Sequence, residues 1–266
     1  MNKFFTLSLI ILGLCLLPFF VKADLLLHYQ FNEGAGDTVK ATVGKDGKLG
    51  NKSGANPKWV DGPSPAGLEG RFGKAIDLDG KTNFVEIPMD LSPQATDGAI
   101  TIAAWVKVHA TALDTHGQNR QPVVMKGNGT AGWEYALYVY DDFKLGFSVW
   151  NCGGSGVSEP SSTDMLTKDK WHYVAGSFGA KEGSKAYIDG KLVTADTPPN
   201  ANIPCDGTAN VFIGHREDGQ FLSATVDEVR IWNEVLSQQE IASFMLVPVQ
   251  PAGCLTATWG KLKAGY

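Results

Sequence analysis

Between residues 25 and 31 the chain reads LLLHYQF, with Leu25, Leu27, Tyr29 and Phe31 on one face and His28 and Gln30 on the other. That two-residue period predicts a half-buried β-strand. The signature recurs in KAIDLD (74–79), NFVEIP (83–88), AITIAAWVKV (99–108), QPVVMK (121–126), WEYALYVYD (133–141), KLGFSVW (144–150), WHYVAGSF (171–178), KAYI (185–188), NVFIGH (210–215) and SATVDEVRIWN (223–233). Gly, Asp, Asn and Pro separate these runs, as strand connections require. Asp189-Gly190, between KAYI and KLV, predicts a type I′ hairpin, because that turn needs positive φ at both central positions. Helical periodicity is confined to SQQEIASFM (237–245), where Ser237 and Glu240 have the spacing of a capping box. Residues 109–120 and 151–169 are read as long loops. Many strands with one short helix, expected to sit as a lid, predict an all-β fold: two antiparallel sheets stacked as a jelly-roll sandwich. No period of 20–50 residues repeats, which disfavours a propeller or solenoid.

The N-terminal pattern is of another kind. FFTLSLIILGLCLLPFF follows Lys3 and is followed by Val21-Lys22-Ala23, which places small residues at the minus-three and minus-one positions of a cleavage site. Residues 1–23 are therefore read as a secretory signal peptide. The apolar run is barely long enough to span a bilayer, so a retained anchor is the alternative. No linker divides residues 24–246, which are expected to form one domain; residues 247–266 are a tail, either poorly ordered or a docking tag.

Export changes the reading of charge and cysteine. The chain has a net charge of −5, and loss of Lys3 and Lys22 leaves 21 basic against 28 acidic residues, near −7. Nucleic acid and an anionic membrane surface are thereby disfavoured as partners. Of the cysteines beyond the leader, Cys152 and Cys205 lie beside predicted strands and are expected to pair, leaving Cys254 in the tail; the alternative is that none is bonded.

Catalytic signatures are absent. There is no H-E-x-x-H, Ser155 lacks the second glycine of G-x-S-x-G, and no glycine loop leads from a strand into a helix. Asp141-Asp142 falls in a predicted turn, and DLDGKTNFVEIP fails as an EF-hand because Lys81 takes its fifth place and Pro88 its twelfth. Adjacent Asp227 and Glu228 should point to opposite faces of a strand and cannot act on one bond. Asp227 then needs a partner, whether a cation, backbone amides or a basic side chain, since an unpaired buried carboxylate is costly; Glu228 is expected on the solvent side. Trp133, Tyr138, Tyr140 and Trp150 cluster on two neighbouring strands whose alternation turns some of them outward. With Asn119, Arg120 and Asn151 from the flanking loops they form the candidate sugar-binding surface. Asn51-Lys52-Ser53 and Asn128-Gly129-Thr130 fit glycosylation acceptors.

Taken in order, YQFNEGAGDTV, FGKAIDLDGKTNFVEIP, ITIAAWVKV, KWHYVAGSF with AYIDGKLV, and VDEVRIWNEVLS resemble the laminin-G-like, concanavalin A-like jelly-roll family over roughly residues 25–246. The resemblance implies a secreted curved sandwich, frequently with one structural calcium, that recognises glycans or proteins. It makes Trp105, Trp171 and Trp232 framework aromatics. It also places the FNEG turn beside the DEVRIW strand, so that Glu33 or Asn32 would meet Asp227 around the calcium. Laminarinase-type glucanases of the same superfamily use a Glu-x-Asp-x-x-Glu run, which this chain lacks. The expectation is a secreted, non-catalytic module that binds carbohydrate. Its alternatives are an adhesive or structural surface protein with an extracellular protein partner, and a glycan-cleaving enzyme.

Overall fold

A computed structural model describes residues 24–65, 72–88, 98–111, 120–128, 132–151, 156–196, 207–216 and 219–246. The predicted leader, the tail, Asn119 and all the cysteines lie outside them. In chain order the strands are β1 (Leu25–Tyr29), β2 (Thr38–Val39), β3 (Ala41–Val43), β4 (Gly47–Asn51), β5 (Lys58–Asp61), β6 (Lys74–Asp79), β7 (Asn83–Ile87), β8 (Ala99–Ala110), β9 (Arg120–Asn128) and β10 (Gly132–Tyr140). They continue with β11 (Lys144–Trp150), β12 (Gly156–Ser158), β13 (Ser161–Met165), β14 (Trp171–Gly179), β15 (Gly183–Ile188), β16 (Lys191–Asp196), β17 (Val211–Ile213), β18 (His215–Arg216), β19 (Gln220–Phe221) and β20 (Ser223–Trp232). Helix α1 (Gln238–Met245) follows.

Two antiparallel sheets form the sandwich. Sheet A runs β16-β15-β14-β8-β20-β1-β3, with β6 also on β20 and β5 on β6. Sheet B runs β12-β11-β10-β9-β17-β7-β4-β2, with β13 also on β11. Strict alternation along β8 shows why both faces of sheet A are apolar. Ile100, Ile102, Ala104, Val106 and Val108 enter the core between the sheets; Ala103 and Trp105 face outward, into a second cluster with Tyr173, Tyr187, Trp232, Leu236 and Ile241. Across the core, Phe147 of β11 packs on Gly176 of β14, where a Cβ would come within 2.3 Å of its ring. Any larger residue at 176 would push the layers apart.

The Asp189-Gly190 turn forms as expected, with φ of 51° and 74° and Ile188 paired with Lys191 across it. Ser237 caps α1 in a complete capping box, and the helix lies on the outer face of sheet A with Ile241 buried beneath it. Trp105 and Trp232 are buried as framework residues, yet in this outer cluster rather than between the sheets; Trp171 is half-buried at its margin. Residues 151–169 are not one long loop: β12 and β13 lie within them and pair with β11. Their Ser, Thr and Asp content hides an edge strand, whose outer side faces solvent and needs no apolar residue. Similarly, β8 extends to Ala110 and β9 starts at Arg120, inside the other predicted loop.

Candidate functional site

The Asp227-Glu228 pair marks a fork in sheet A. On one side of β20, residues 223–226 pair with β6, whereas beyond the pair Val229–Trp232 pair with β1. The register against β8 also slips between Asp227 and Arg230, and Glu228 takes φ of 51°. This is a β-bulge, which frees one residue from the ladder and re-aims its side chain.

Glu228 does not face solvent; it is fully buried, because the bulge swings it under β1. Its Oε2 meets His28 Nε2 at 2.7 Å and Arg230 Nη2, and Gln30 Nε2 donates to Oε1 at 3.4 Å. Burial alone would push the Glu228 carboxyl up, but the Arg230 charge and the His28 and Gln30 hydrogen bonds outweigh it and hold the group below the usual glutamate range. Burial lowers the pKa of His28, whose Nδ1 contacts Thr42 Oγ1 at 2.6 Å. Arg230 also donates to the Phe244 carbonyl at the end of α1. One carboxylate thus ties the first strand, the last strand and the helix together.

Asp227 is in the opposite situation. It is fully buried, and its Oδ1 accepts the Glu228 N–H at 2.7 Å while Oδ2 has no hydrogen-bond partner. Burial, with the charges of Glu228 and Glu33 added, pushes its carboxyl well above the usual aspartate range. Beside it Gly62 leaves an oxygen-lined space: a Cβ there would meet Phe72 O at 2.6 Å, Asp227 Oδ2 at 3.0 Å and Lys74 O at 3.2 Å. Glu33 accepts the Lys40 N–H with Oε1 and keeps a buried, unpartnered Oε2. Asn32, by contrast, is occupied in place: its Oδ1 accepts the Lys74 N–H at 2.9 Å and pins the start of β6. Among the described residues no three His, Cys, Asp or Glu side chains converge as a metal-holding group. The donors at the fork are carboxylate and carbonyl oxygens, the hard set that suits calcium and not zinc.

The candidate sugar surface lies on the outer face of sheet B. Tyr138 and Trp150, 1% and 8% exposed, pack with Met125 and Ala136 and offer a ligand almost no area. Trp133 and Tyr140 are half-buried at the rim of this cluster, Trp133 under the Arg216 guanidinium at 4.4 Å. Asn151 is half-buried just beyond β11. Arg120 lines a cleft of about 290 Å³ together with Gln121, Lys81, Thr111, Gln220 and Phe221. The Phe221 ring forms an aromatic wall, stacked from behind on buried His215 at 4.4 Å and 15°. Of these lining residues the sequence reading named Arg120. Gln220 and Phe221 come from a two-residue strand without periodicity, and Gln121 precedes a register slip at Pro122, so alternation carried no signal for them.

One further constellation resembles a nucleophile-base-acid chain. Thr225 Oγ1 lies 2.9 Å from His109 Nε2, and His109 Nδ1 lies 2.8 Å from Asp169 Oδ1. The Thr225 hydroxyl, however, donates to Asp77 at 3.0 Å and is 1% exposed in mid-strand. No substrate atom can reach it there, so the group staples β6, β8 and β20. His172 is likewise satisfied, by Asp189 and the Thr167 N–H.

The model of the concanavalin A-like lectin/glucanases superfamily of laminin-G type matches residues 79–242. Human adhesion G-protein coupled receptor D1 is 27% identical over 136 residues, 44% of this chain and 15% of the receptor. Domain 4 of AbnA, an extracellular arabinanase of Geobacillus stearothermophilus solved with arabinotriose, superposes with a TM-score of 0.61 at 16% identity, covering 84% of this chain and 98% of that domain. Trypanosoma rangeli sialidase in complex with sialic acid gives 0.58 at 17% identity, over 84% of this chain and 32% of the sialidase. The botulinum neurotoxin serotype D binding domain gives 0.58 at 13%, over 84% and 51%. These structural likenesses are of fold. No helix among the described residues is long and apolar enough to cross a membrane.

Proposed function

The chain belongs to the concanavalin A-like lectin/glucanases superfamily, and from that membership we propose an extracellular module that captures carbohydrate in the Arg120 cleft without transforming it, braced by calcium at the β20 fork. Domains of this type bind glycans or proteins. The observation that favours carbohydrate is the cleft's lining: the Phe221 ring, the hydroxyl side chains Thr111 and Ser223 and the cationic Arg120 and Lys81 border a space of about 290 Å³. Sugar recognition needs an apolar ring face together with polar groups of fixed direction. Supporting a non-catalytic role, the adjacent acids at 227 and 228 are sequestered in separate buried environments, and the Thr225-His109 contact is closed to substrate.

Calcium would be held by Asp227 Oδ2, Glu33 Oε2 and the Phe72 carbonyl, with Asn32 positioning the segment that carries that carbonyl. The group would supply charge and no chemistry. It would satisfy two carboxylate oxygens that the protein itself leaves unmet.

A glycan array tests the carbohydrate reading. Binding to a protein partner in the absence of any glycan signal would favour the second reading, an adhesive role, to which the likeness to an adhesion receptor lends weight. Release of reducing ends from a bound polysaccharide would overturn the non-catalytic role. For calcium, melting with and without a chelator is decisive, since a cation at about 100 times its Kd stabilises the folded state by about 2.7 kcal/mol. Asp227→Asn should remove that shift; identical melting curves with and without chelator exclude the site.

A further inference from the structure

The cleft assigned above to carbohydrate carries two cationic side chains in an acidic chain. Arg120 and Lys81 line it against one carboxylate, Asp79. That carboxylate is turned into its own hairpin. Its Oδ1 accepts the N–H groups of Lys81, Thr82 and Asn83 at 2.9, 2.8 and 3.0 Å, and its Oδ2 accepts the Thr82 hydroxyl at 2.9 Å. Four donors therefore hold the Asp79 carboxylate ionised and fixed within the hairpin, and the exposed Lys81 ammonium pairs with no carboxylate among the described residues.

Arg120 is arranged as a receptor for a planar anion. Its guanidinium lies over the Tyr138 ring, 5.2 Å from the centroid, which restrains its orientation. Nη1 and Nη2 face the two carboxylate oxygens of Glu159 at 3.4 and 3.3 Å. The fork is in place, but a well-made charge-assisted pair closes to about 2.7–2.9 Å. The pair is open to water: the Glu159 and Arg120 side chains are 35% and 30% exposed.

The geometry points to a ligand with its own carboxylate: we infer that the cleft selects acidic sugars of the uronic acid class, whose acid group competes with Glu159 for the Arg120 fork while Lys81 supplies a second cation. This rests on the carbohydrate reading of the same cleft. Glu159 then acts as a built-in competitor, which sets the two variants apart in sign. Removing Arg120 weakens acidic ligands, and neutralising Glu159 strengthens them.

The test is calorimetric titration of the full chain with trigalacturonate, a hyaluronan tetrasaccharide, fully methyl-esterified trigalacturonate and cellotetraose. At low salt one of the acids should bind at least about tenfold more tightly than the ester. Arg120→Met should abolish that margin and Glu159→Gln should widen it, with unchanged melting temperatures confirming that both variants fold. Equal binding of acid and ester, or a margin that survives Arg120→Met or shrinks in Glu159→Gln, overturns the acidic preference and leaves carbohydrate binding intact. No binding to any of the four, together with a blank glycan array, overturns both.

Discussion

The outer faces of the two sheets are both apolar, and they are finished in different ways. On sheet A the chain seals its own surface: α1 and Phe72 cover Trp105, Tyr173 and Trp232, and the charges beneath, Arg230 and Glu228, neutralise each other in full burial. On sheet B the aromatics form a thin cluster, and cationic heads lie on rings of this sheet: Arg216 over Trp133, Arg120 over Tyr138 and Lys52 over Phe84. A long side chain laid on a ring covers apolar area yet can be displaced by a ligand at little cost. A buried ion pair under a helix cannot. The first face is therefore suited to holding the sandwich together, the second to meeting something outside it.

The sharpest way to break this contrast is Glu228→Gln. It leaves Arg230 buried without its counter-charge, and removal of one partner from such a pair costs about 3–5 kcal/mol. Thermal unfolding should drop by about 10 °C; a drop of a degree or two would mean that sheet A is not locked by this cluster. Acid should act on both faces, since His28 and Glu228 on sheet A also have lowered pKa values. Burial depresses His215 to about 4, so its neutral form stabilises the fold fully above the ordinary histidine value near 6.5, and that stability is lost as pH falls from there through about 4. The loss is up to about 3 kcal/mol, and His215→Gln should flatten the melting temperature measured across that window.

Smaller effects sharpen the picture. Ser237→Ala removes the α1 cap and should cost about 1 kcal/mol, read as a lower melting temperature together with faster exchange of the helix amides; unaltered exchange would mean that packing alone holds the lid. Arg216→Ala should cost about 0.5–1 kcal/mol, measured by urea titration, and increase the fluorescence change of Trp133 on adding a quencher. A loss as large as that for Glu228→Gln would erase the distinction between the faces.

Long central strands were legible because alternation there is enforced on both sides. KAIDLD and KLGFSVW match β6 and β11 residue for residue, and β8 departs from AITIAAWVKV by two residues at one end. Short edge strands were not. GKLGN forms β4 through its pairing with β7, although its glycines and lysine carry no strand signal of their own. Adjacency of Asp227 and Glu228 was visible; the change of partner from β6 to β1, which buries Glu228, depends on segments some two hundred positions away. The same distance explains why the spacing of the histidines gave His109 no role: its partners Asp77, Asp169 and Thr225 come from three other segments. Arg120, named from the sequence, lines the cleft, while Tyr138 and Trp150 among the neighbouring aromatics are buried in packing on one another.

A temporal consequence follows from where β20 sits. It lies between β8 and the first strand and also bears β6, so sheet A stays divided until residues 223–232 arrive. A polypeptide emerging from the ribosome would carry hairpins such as β10–β11 and β14–β15 early, yet it would have no means of closing before nearly all of it was available. Such late, long-range closure makes for slow folding and a prolonged open stage, in which a chain remains threadable through a narrow channel and also vulnerable to its neighbours.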